Sequence, residues 1–296
     1  MSETQFQQGH SVPPQDQNLP GSQSAMGPPP QSEYIPDWDG GYKLYQAAGK
    51  LEGRKALITG GDSGIGRAIA ILYAMEGADS FITHLPEEKK DAEDTKKFVE
   101  KYGRKCHLME ADLTKKEVCR KVVENALQAM GTINILINNH AFQMQVEDIK
   151  DLPEDQWEHT FNTNIHAFFY LCKYTLPHMK RGDSIINTAS INAYIGRPDL
   201  LDYTSTKGAI VAFTRALSNQ YIGKGIRVNC VAPGPVWTPL IPSTMSKESQ
   251  EKFQAPMGRP SQPSEIATCF VFLASMDSAS ISGQTIHPNG GTVVGG

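Results

Sequence analysis

Cysteine is sparse in this sequence of 296 residues, and long apolar runs are missing from it. The five cysteines are scattered and include no Cys-x-x-Cys pair, so neither a disulfide framework nor a zinc site is expected. No stretch of about 18 apolar residues is present, and the sequence does not start with a basic segment followed by an apolar one. We therefore expect a cytoplasmic protein whose cysteines act as small buried apolar side chains.

An excess of charge of one sign is also missing. The formal net charge is −4 and the pI is near 6.1, so we expect no basic field that would attract nucleic acid or a membrane surface. The eight histidines do not show the spacing of metal ligands. These properties argue against nucleic acid, membrane and metal as partners of the chain.

Hydrophobic patterning is absent from the first fifty residues. Residues 1–33 are rich in Gln, Pro, Ser and Gly, and we predict that this N-terminal tail is disordered because it cannot bury enough apolar surface to offset the entropy of ordering. Residues 34–50, the aromatic arm, include Trp38 and Tyr42. The arm is either an incidental linker or, as we favour, a segment that docks on its own domain or on a neighbouring subunit.

From residue 51 to residue 296 the sequence alternates between short apolar strands and helical segments, which indicates one folded domain. Strands without polar alternation are typical of a sheet buried on both faces, and the helices between them impose parallel strands with right-handed crossovers. The predicted fold class is α/β, a single doubly wound parallel sheet of the Rossmann type. The predicted strands are residues 55–58, 80–83, 105–109, 134–137, 183–188 and 225–231.

Residues 59–66, the glycine turn, read Thr-Gly-Gly-Asp-Ser-Gly-Ile-Gly between the first predicted strand and a helix. Early glycines permit a sharp turn, later ones let a ligand approach the backbone, and the start of the helix offers N–H groups to a phosphate. The pattern predicts a binding site for a dinucleotide pyrophosphate. An ordinary glycine-rich turn is the alternative that the glycines alone leave open.

Tyr203 and Lys207 are four residues apart in a predicted helix, so their side chains rise from neighbouring turns of one face. Of the ten tyrosines only Tyr203 has such a partner, and Ser190 stands just past the fifth predicted strand. A surface pair beside an unrelated serine is the alternative interpretation. The glycine turn earlier in the same series of strands and helices argues against it.

Taken in order, these motifs resemble those of the short-chain dehydrogenase/reductase family over about residues 51–291. The N-terminal extension and residues 229–240 resemble the branch that includes bacterial general-stress dehydrogenases and their fungal relatives. The matching positions are Thr59, Gly60, Gly64, Ile65, Gly66, Asp112, Asn138, Asn139, Asn164, Ser190, Tyr203, Lys207, Pro233, Gly234 and Thr238.

The resemblance implies an oxidoreductase that transfers a hydride between NAD(P) and an alcohol or carbonyl substrate. It implies that Tyr203 is the general acid/base and that Lys207 lowers the pKa of its phenol and holds the nicotinamide ribose. Ser190 would hydrogen-bond the substrate oxygen, and Asn164 would anchor a water in a proton path. The expected substrate contacts are Ser190, Asn192 and Tyr203, beneath a mobile region from about residue 239 to residue 256.

Few residues of the sequence bear on the choice between NAD and NADP. His84 stands at the end of the second strand, where an Asp would bind a ribose 2′-hydroxyl, and no Arg follows it. The acidic Asp62 in the glycine turn, and Glu87 and Glu88 nearby, should repel a 2′-phosphate, which favours NAD over NADP. The expected cofactor contacts are Gly60, Asp62, Ser63, Gly64, Ile65, Gly66, His84, Asp112, Leu113, Asn138, Tyr203, Lys207, Pro233, Gly234, Val236 and Thr238.

Two functional alternatives stay open. One is a regulatory protein that binds the cofactor without turnover, and the other is an epimerase or dehydratase; the intact Asn, Ser, Tyr and Lys set favours the oxidoreductase. His140 replaces a small residue of the family pattern, and we expect it to be hydrogen-bonded locally rather than to contact the substrate. The family and the aromatic arm together predict a homotetramer.

Overall fold

A parallel sheet of seven strands lies at the centre of the computed structural model, which describes residues 4–295. The strands are β1 (Tyr34–Pro36), β2 (Tyr42–Leu44), β3 (Lys55–Thr59), β4 (Asp79–His84), β5 (Cys106–Glu110), β6 (Ile135–Asn138), β7 (Ser184–Thr188), β8 (Arg227–Val231) and β9 (Thr285–Ile286). The helices are α1 (Gly64–Met75), α2 (Lys89–Lys101), α3 (Lys116–Met130), α4 (Glu154–Phe161), α5 (Ala167–Thr175), α6 (Asn192–Ile195), α7 (Leu201–Tyr221), α8 (Leu240–Thr244), α9 (Lys247–Glu251) and α10 (Pro263–Ala274).

The strand order is β5-β4-β3-β6-β7-β8-β9, with every neighbouring pair parallel. The chain therefore builds the sheet outward from β3 in one direction and then, from β6, in the other. Such a reversal opens a crevice at the carboxyl ends of the central strands. The predicted doubly wound α/β fold is confirmed. No helix between residues 4 and 295 combines the length and apolar character that crossing a bilayer requires.

The central strands β3, β6 and β7 have consecutive apolar residues, and helices cover both of their faces. In β3, Ile58 packs into the core beneath α1 and α10, whereas its neighbour Leu57 points to the opposite core beneath α3 and α5. Ile135 and Leu136 of β6 divide between the two cores in the same way. Successive side chains of a strand point to opposite faces, so two buried faces require a continuous apolar run.

Several elements are not predicted from the sequence, among them α6, α8, α9 and α10. The hairpin of β1 and β2 and the two-residue strand β9 are too short to show a periodic pattern. The helical region predicted between residues 153 and 179 is divided between α4 and α5 by a π-helical turn at Asn162–His166. A turn of this kind inserts one residue into a helix, and helical periodicity alone does not reveal it.

The structure differs from the prediction of disorder in residues 4–33, which follow a defined course across the domain. Trp237 Nε1 donates a hydrogen bond to Pro28 O at 2.8 Å, and Val12 and Met26 pack against the same indole. Residues 1–3 lie outside the described part of the chain. A prediction of disorder from composition considers only the few apolar residues of the tail itself. In the structure those residues pack against apolar side chains of the domain, such as Trp237.

The aromatic arm lies on its own domain. Its anchor is the carboxylate of Glu76, which accepts hydrogen bonds from the Tyr45 hydroxyl and from the backbone N–H groups of Ala48 (3.1 Å) and Lys50 (2.8 Å). The hairpin of β1 and β2 precedes this anchor, and Trp38 between its two strands is 98% exposed. These hydrogen bonds join the end of the arm to the residue that follows the last turn of α1.

Candidate active site

A cleft of about 480 Å³ opens where the central strands end. Its walls include residues that follow β3, β4, β6, β7 and β8, so the fold brings together loops that are far apart in sequence. Most of the predicted site residues line it; the exceptions are Gly66, Asn138 and Asn164. The predicted residues that line the cleft are Gly60, Asp62, Ser63, Gly64, Ile65, His84, Asp112, Leu113, Ser190, Asn192, Tyr203, Lys207, Pro233, Gly234, Val236 and Thr238.

The glycine turn depends on residues without a side chain. Gly64, the first residue of α1, has φ = +51°, a left-handed conformation that other residues rarely adopt. A Cβ on Gly66 would lie 1.9 Å from Gly60 O, so this glycine lets the helix approach the turn. Gly66, a predicted cofactor contact, does not line the cleft, and its contact with the turn is one of packing. The side-chain amide of Asn139 also fastens the turn, donating to Gly60 O at 3.1 Å.

Ser190, Tyr203 and Lys207 meet at the other end of the cleft. Ser190 follows β7, and α7 carries the other two side chains on successive turns. The phenol of Tyr203 lies beside Ser190, whose hydroxyl acts to lower the pKa of that phenol. Lys207 Nζ lies 5.2 Å from the centre of the Tyr203 ring and donates to Thr188 O at 2.8 Å. The hydroxyls of Ser190 and Tyr203 and the amine of Lys207 thus lie together at this end of the cleft.

Burial shifts the two titratable groups in opposite directions because each favours its neutral form away from water. It raises the pKa of Tyr203 to about 12, although the hydroxyl of Ser190 and the charge of Arg197 act against this rise. It lowers the pKa of Lys207 to about 7. At neutral pH the phenol therefore keeps its proton, and the lysine lies near the midpoint of its titration. The pair can give a proton to an oxygen and supply charge beside the phenolate.

Asn164 lies in the π-helical turn and is fully buried, away from the cleft lining. Its side-chain amide donates to Phe142 O at 2.8 Å and to Thr206 Oγ1 at 3.1 Å, and its oxygen accepts from Phe142 N at 2.8 Å. The side chain thereby ties the segment after β6 to α7, the helix of Tyr203. Turns of the π type occur frequently at functional sites.

Asn138 was predicted as a cofactor contact, but the structure places its side chain beneath the sheet. Its amide donates to Asn187 Oδ1 at 2.9 Å, and its neighbour Asn139 lines the cleft instead. Strand alternation explains this placement, since Asn138 shares its face of β6 with Leu136, which packs into the core. Counting positions along β6 could have shown which of the two asparagines faces the ligand.

The end of the cleft beside β4 is acidic. Asp62 is buried, its Oδ2 has no hydrogen-bond partner, and burial raises its pKa. Burial, together with the charge of Asp62, also raises the pKa of Glu88 to about 8. His84 uses its Nδ1 to donate to Leu85 O at 2.7 Å. Both carboxyls line the cleft, whereas Glu87, the third acidic residue expected near a 2′-phosphate, does not.

His140 is held by local hydrogen bonds, as the sequence interpretation expected. Its Nε2 donates to Thr163 O at 3.0 Å, and its Nδ1 lies 2.7 Å from Thr59 Oγ1. Burial, and then the charge of Lys207, lowers the pKa of His140 to about 3. The ring is therefore neutral, and Nδ1 accepts the hydroxyl hydrogen of Thr59.

Several lining residues are not predicted from the sequence because no motif marks them, whether they lie on loops or on helices. Both polar and apolar side chains are among them, and the N-terminal tail contributes two more. No periodicity or motif marks them, since only the folded chain brings them to the cleft. They include Gln143, His159, Thr163 and Arg197 near Tyr203, and Leu19 and Pro20 from the tail.

Residues 60–293 match a protein-family model described as enoyl-(acyl carrier protein) reductase. An uncharacterized oxidoreductase of Schizosaccharomyces pombe is 51% identical, over 95% of this chain and 97% of that protein. General stress protein 39 of Bacillus subtilis is 49% identical over 96% of this chain and 97% of its own length. The glucose and ribitol dehydrogenase of Daucus carota is 48% identical over 97% of this chain and 99% of its own length.

Solved structures agree with these sequence matches. A short-chain dehydrogenase of Burkholderia cenocepacia in complex with NADP superposes with a TM-score of 0.76 and 28% identity, covering 82% of this chain and 98% of that one. A 3-ketoacyl-(acyl-carrier-protein) reductase of Brucella melitensis complexed with NADH gives a TM-score of 0.74 and 30% identity, over 81% and 98%. Both likenesses extend over almost the whole of the solved chains.

Proposed function

Because the chain belongs to the short-chain dehydrogenase/reductase family, we propose that it interconverts an alcohol and a carbonyl compound by hydride transfer with a nicotinamide cofactor. One observation carries the proposal: Tyr203, Ser190 and Lys207 meet in the same cleft that begins at the glycine turn. A protein that only bound the dinucleotide would have no use for a buried phenol and ammonium, since burying such groups costs free energy.

The residues of the cleft fit an extended dinucleotide. At the glycine turn the wall is bare backbone, because Gly60 and Gly64 have no side chain, and the turn can hold a pyrophosphate. Asp112 would meet the adenine, and Thr238 the carboxamide at the opposite end. When bound, the cofactor supplies or accepts the hydride at the substrate carbon.

The side chains of the chain itself handle the proton. In carbonyl reduction the Ser190 hydroxyl binds the substrate oxygen, and Tyr203 donates its phenolic proton to that oxygen as negative charge develops. The ammonium of Lys207 stabilises the phenolate that remains. Asn164 keeps α7 at a fixed distance from the segment after β6, which holds Tyr203 in register with Ser190.

NAD is the cofactor that the acidic end of the cleft supports. Asp62 and Glu88 line the wall beside β4, where a 2′-phosphate would have no arginine to pair with and would oppose the ionisation of two carboxyls whose pKa values are already raised. The Burkholderia relative holds NADP and the Brucella relative NADH, so family membership by itself does not choose between them. The preference for NAD rests on these two side chains.

A small polar substrate fits the end of the cleft near Tyr203. Gln143, His159, Asn192 and Arg197 line this end and offer hydrogen bonds to hydroxyl groups. The name of the carrot relative, a glucose and ribitol dehydrogenase, agrees with a polyhydroxylated substrate. We therefore place sugars, polyols and their aldehydes first among the candidates.

The proposal is tested by following the absorbance of the reduced cofactor with a panel of sugars, polyols, aldehydes, steroids and quinones, comparing NADH with NADPH. We expect turnover with at least one polar substrate and a lower KM for NADH. Replacing Tyr203→Phe removes the acid and should lower kcat by roughly 100- to 10,000-fold while the cofactor still binds. Tyr221→Phe, the same change at the far end of α7, is the control. Near-normal turnover of Tyr203→Phe would refute the mechanism.

A further inference from the structure

Residues 15–24 of the N-terminal tail, here called the strap, run along the outer side of the cleft. One end is fixed to the helices that follow β8. The backbone of Gln15 exchanges two hydrogen bonds with the Gln250 side chain, each 2.9 Å long, and Gln17 N donates to Pro242 O at 3.1 Å. The strap is therefore attached to the region that would cover a bound substrate.

The other end of the strap is fixed to α2 through a single buried carboxylate. Asp91 Oδ2 accepts from the Ser22 hydroxyl and from Gln23 N, both at 2.8 Å, and Oδ1 accepts from Ser24 N at 3.2 Å. Arg67 of α1 donates to the same carboxylate at 3.4 Å and to Asp91 O at 2.8 Å. Asp91 thus joins the strap to α2, its own helix, and to α1, the helix that follows the glycine turn.

The middle of the strap touches the cofactor cleft directly. Leu19 and Pro20 line it, and the side-chain oxygen of Gln23 accepts a hydrogen bond from Gly64 N at 2.6 Å. The first N–H groups of a helix have no partner within the helix. Ser63, at the N-cap of α1, makes no side-chain cap, so the tail supplies one from 41 residues away.

We infer that the strap is part of the cofactor-binding site, with Gln23 as a positioning residue. Gln23 holds the first N–H group of α1, and through it fixes the glycine turn in the shape that receives a pyrophosphate. Leu19 and Pro20 form the outer wall that retains the cofactor. The inference rests on the proposed function only in requiring that a nicotinamide cofactor binds in this cleft.

The experiment compares the full-length protein with Gln23→Ala and with Gln7→Ala, an exposed glutamine of the same tail. The affinity for NADH is measured by titrating its fluorescence, and KM and kcat are measured separately. We expect the Kd and KM for NADH to rise roughly 5- to 10-fold in Gln23→Ala, the loss of about one hydrogen bond, with a smaller change in kcat. Gln7→Ala should match the wild type.

Two further measurements separate positioning from general loss of structure. Hydrogen exchange at the peptide that contains Gly64 should be faster in Gln23→Ala, with exchange in the central strands unchanged. Ser22→Ala, which removes one bond to Asp91, should speed the release of NADH in stopped flow by roughly threefold.

Three outcomes would overturn the inference. If Gln23→Ala bound NADH as the wild type does, the strap would not be part of the site. If it bound NADH more tightly, Gln23 would compete with the cofactor for the N–H of Gly64 rather than position the turn. If the wild type bound neither NADH nor NADPH, the proposed function would fail first, and the role of the strap with it.

Discussion

At the scale of single residues, burial determines the pKa values of the titratable groups in the site. Tyr203 and Lys207 were identified from their spacing in the sequence, but the values of their pKa depend on burial that only the fold creates. The choice between Asn138 and Asn139 shows a similar limit. Both belong to the motif, and only the end of β6 decides which side chain reaches the cleft.

His140 makes a residue-scale prediction about acid stability. The pKa of His140 is about 3 in the fold, below its ordinary value of 6.5, so as pH falls the unfolded chain takes up a proton first. The free energy of unfolding should therefore fall by roughly 2 kcal/mol between about pH 6.5 and about pH 4.5 on account of this residue. His140→Gln should remove that part of the pH dependence in urea titrations.

His178→Gln, a change at an exposed histidine, is the control for this measurement. Its stability curve should keep the slope of the wild type. An identical slope in His140→Gln and the wild type would show that the ring is not held neutral.

At the scale of elements, apolar strands could be predicted because two buried faces leave no room for polar alternation. The same reasoning could not find β9, which has two residues, or the π-helical turn at Asn162–His166, which changes the register inside an otherwise helical pattern. The course of residues 4–33 could not be predicted either. Its contacts are hydrogen bonds of backbone groups and of single polar side chains such as Gln23, together with single apolar side chains such as Val12, and none of these forms a pattern in the sequence.

The junction of the glycine turn and α1 gives a prediction at this scale. In Gly66→Ala the new Cβ would lie 1.9 Å from Gly60 O, so the helix must move away from the turn. We expect a loss of roughly 1–3 kcal/mol in the free energy of unfolding and at least a tenfold weaker binding of NADH. Calorimetry and fluorescence titration measure the two effects.

Gly223→Ala is the matched control, because a Cβ at that position would have no neighbour within 4 Å. It should leave both quantities within error of the wild type. Should Gly66→Ala bind NADH normally, the close approach of helix and turn would not matter for the cofactor.

At the scale of the whole molecule, we propose a homotetramer. The aromatic arm docks within its own chain through Glu76, yet it leaves Trp38 98% exposed between β1 and β2. Large exposed apolar side chains are often covered by a neighbouring subunit. Light scattering at micromolar concentration should return four times the chain mass of 32.5 kDa. A monomer would contradict both the tetramer and this role for the hairpin.

The tail also gives the molecule an intrinsic optical reporter. Of the three tryptophans, Trp38 faces solvent and Trp157 is partly exposed, whereas the indole of Trp237 is fully shielded beneath residues of the tail and bonded to Pro28. If the tail dissociated from the domain, the Trp237 indole would become exposed to solvent and its fluorescence emission would shift to longer wavelength. A truncated protein that lacks the tail would also lack Leu19 and Pro20, which line the cleft.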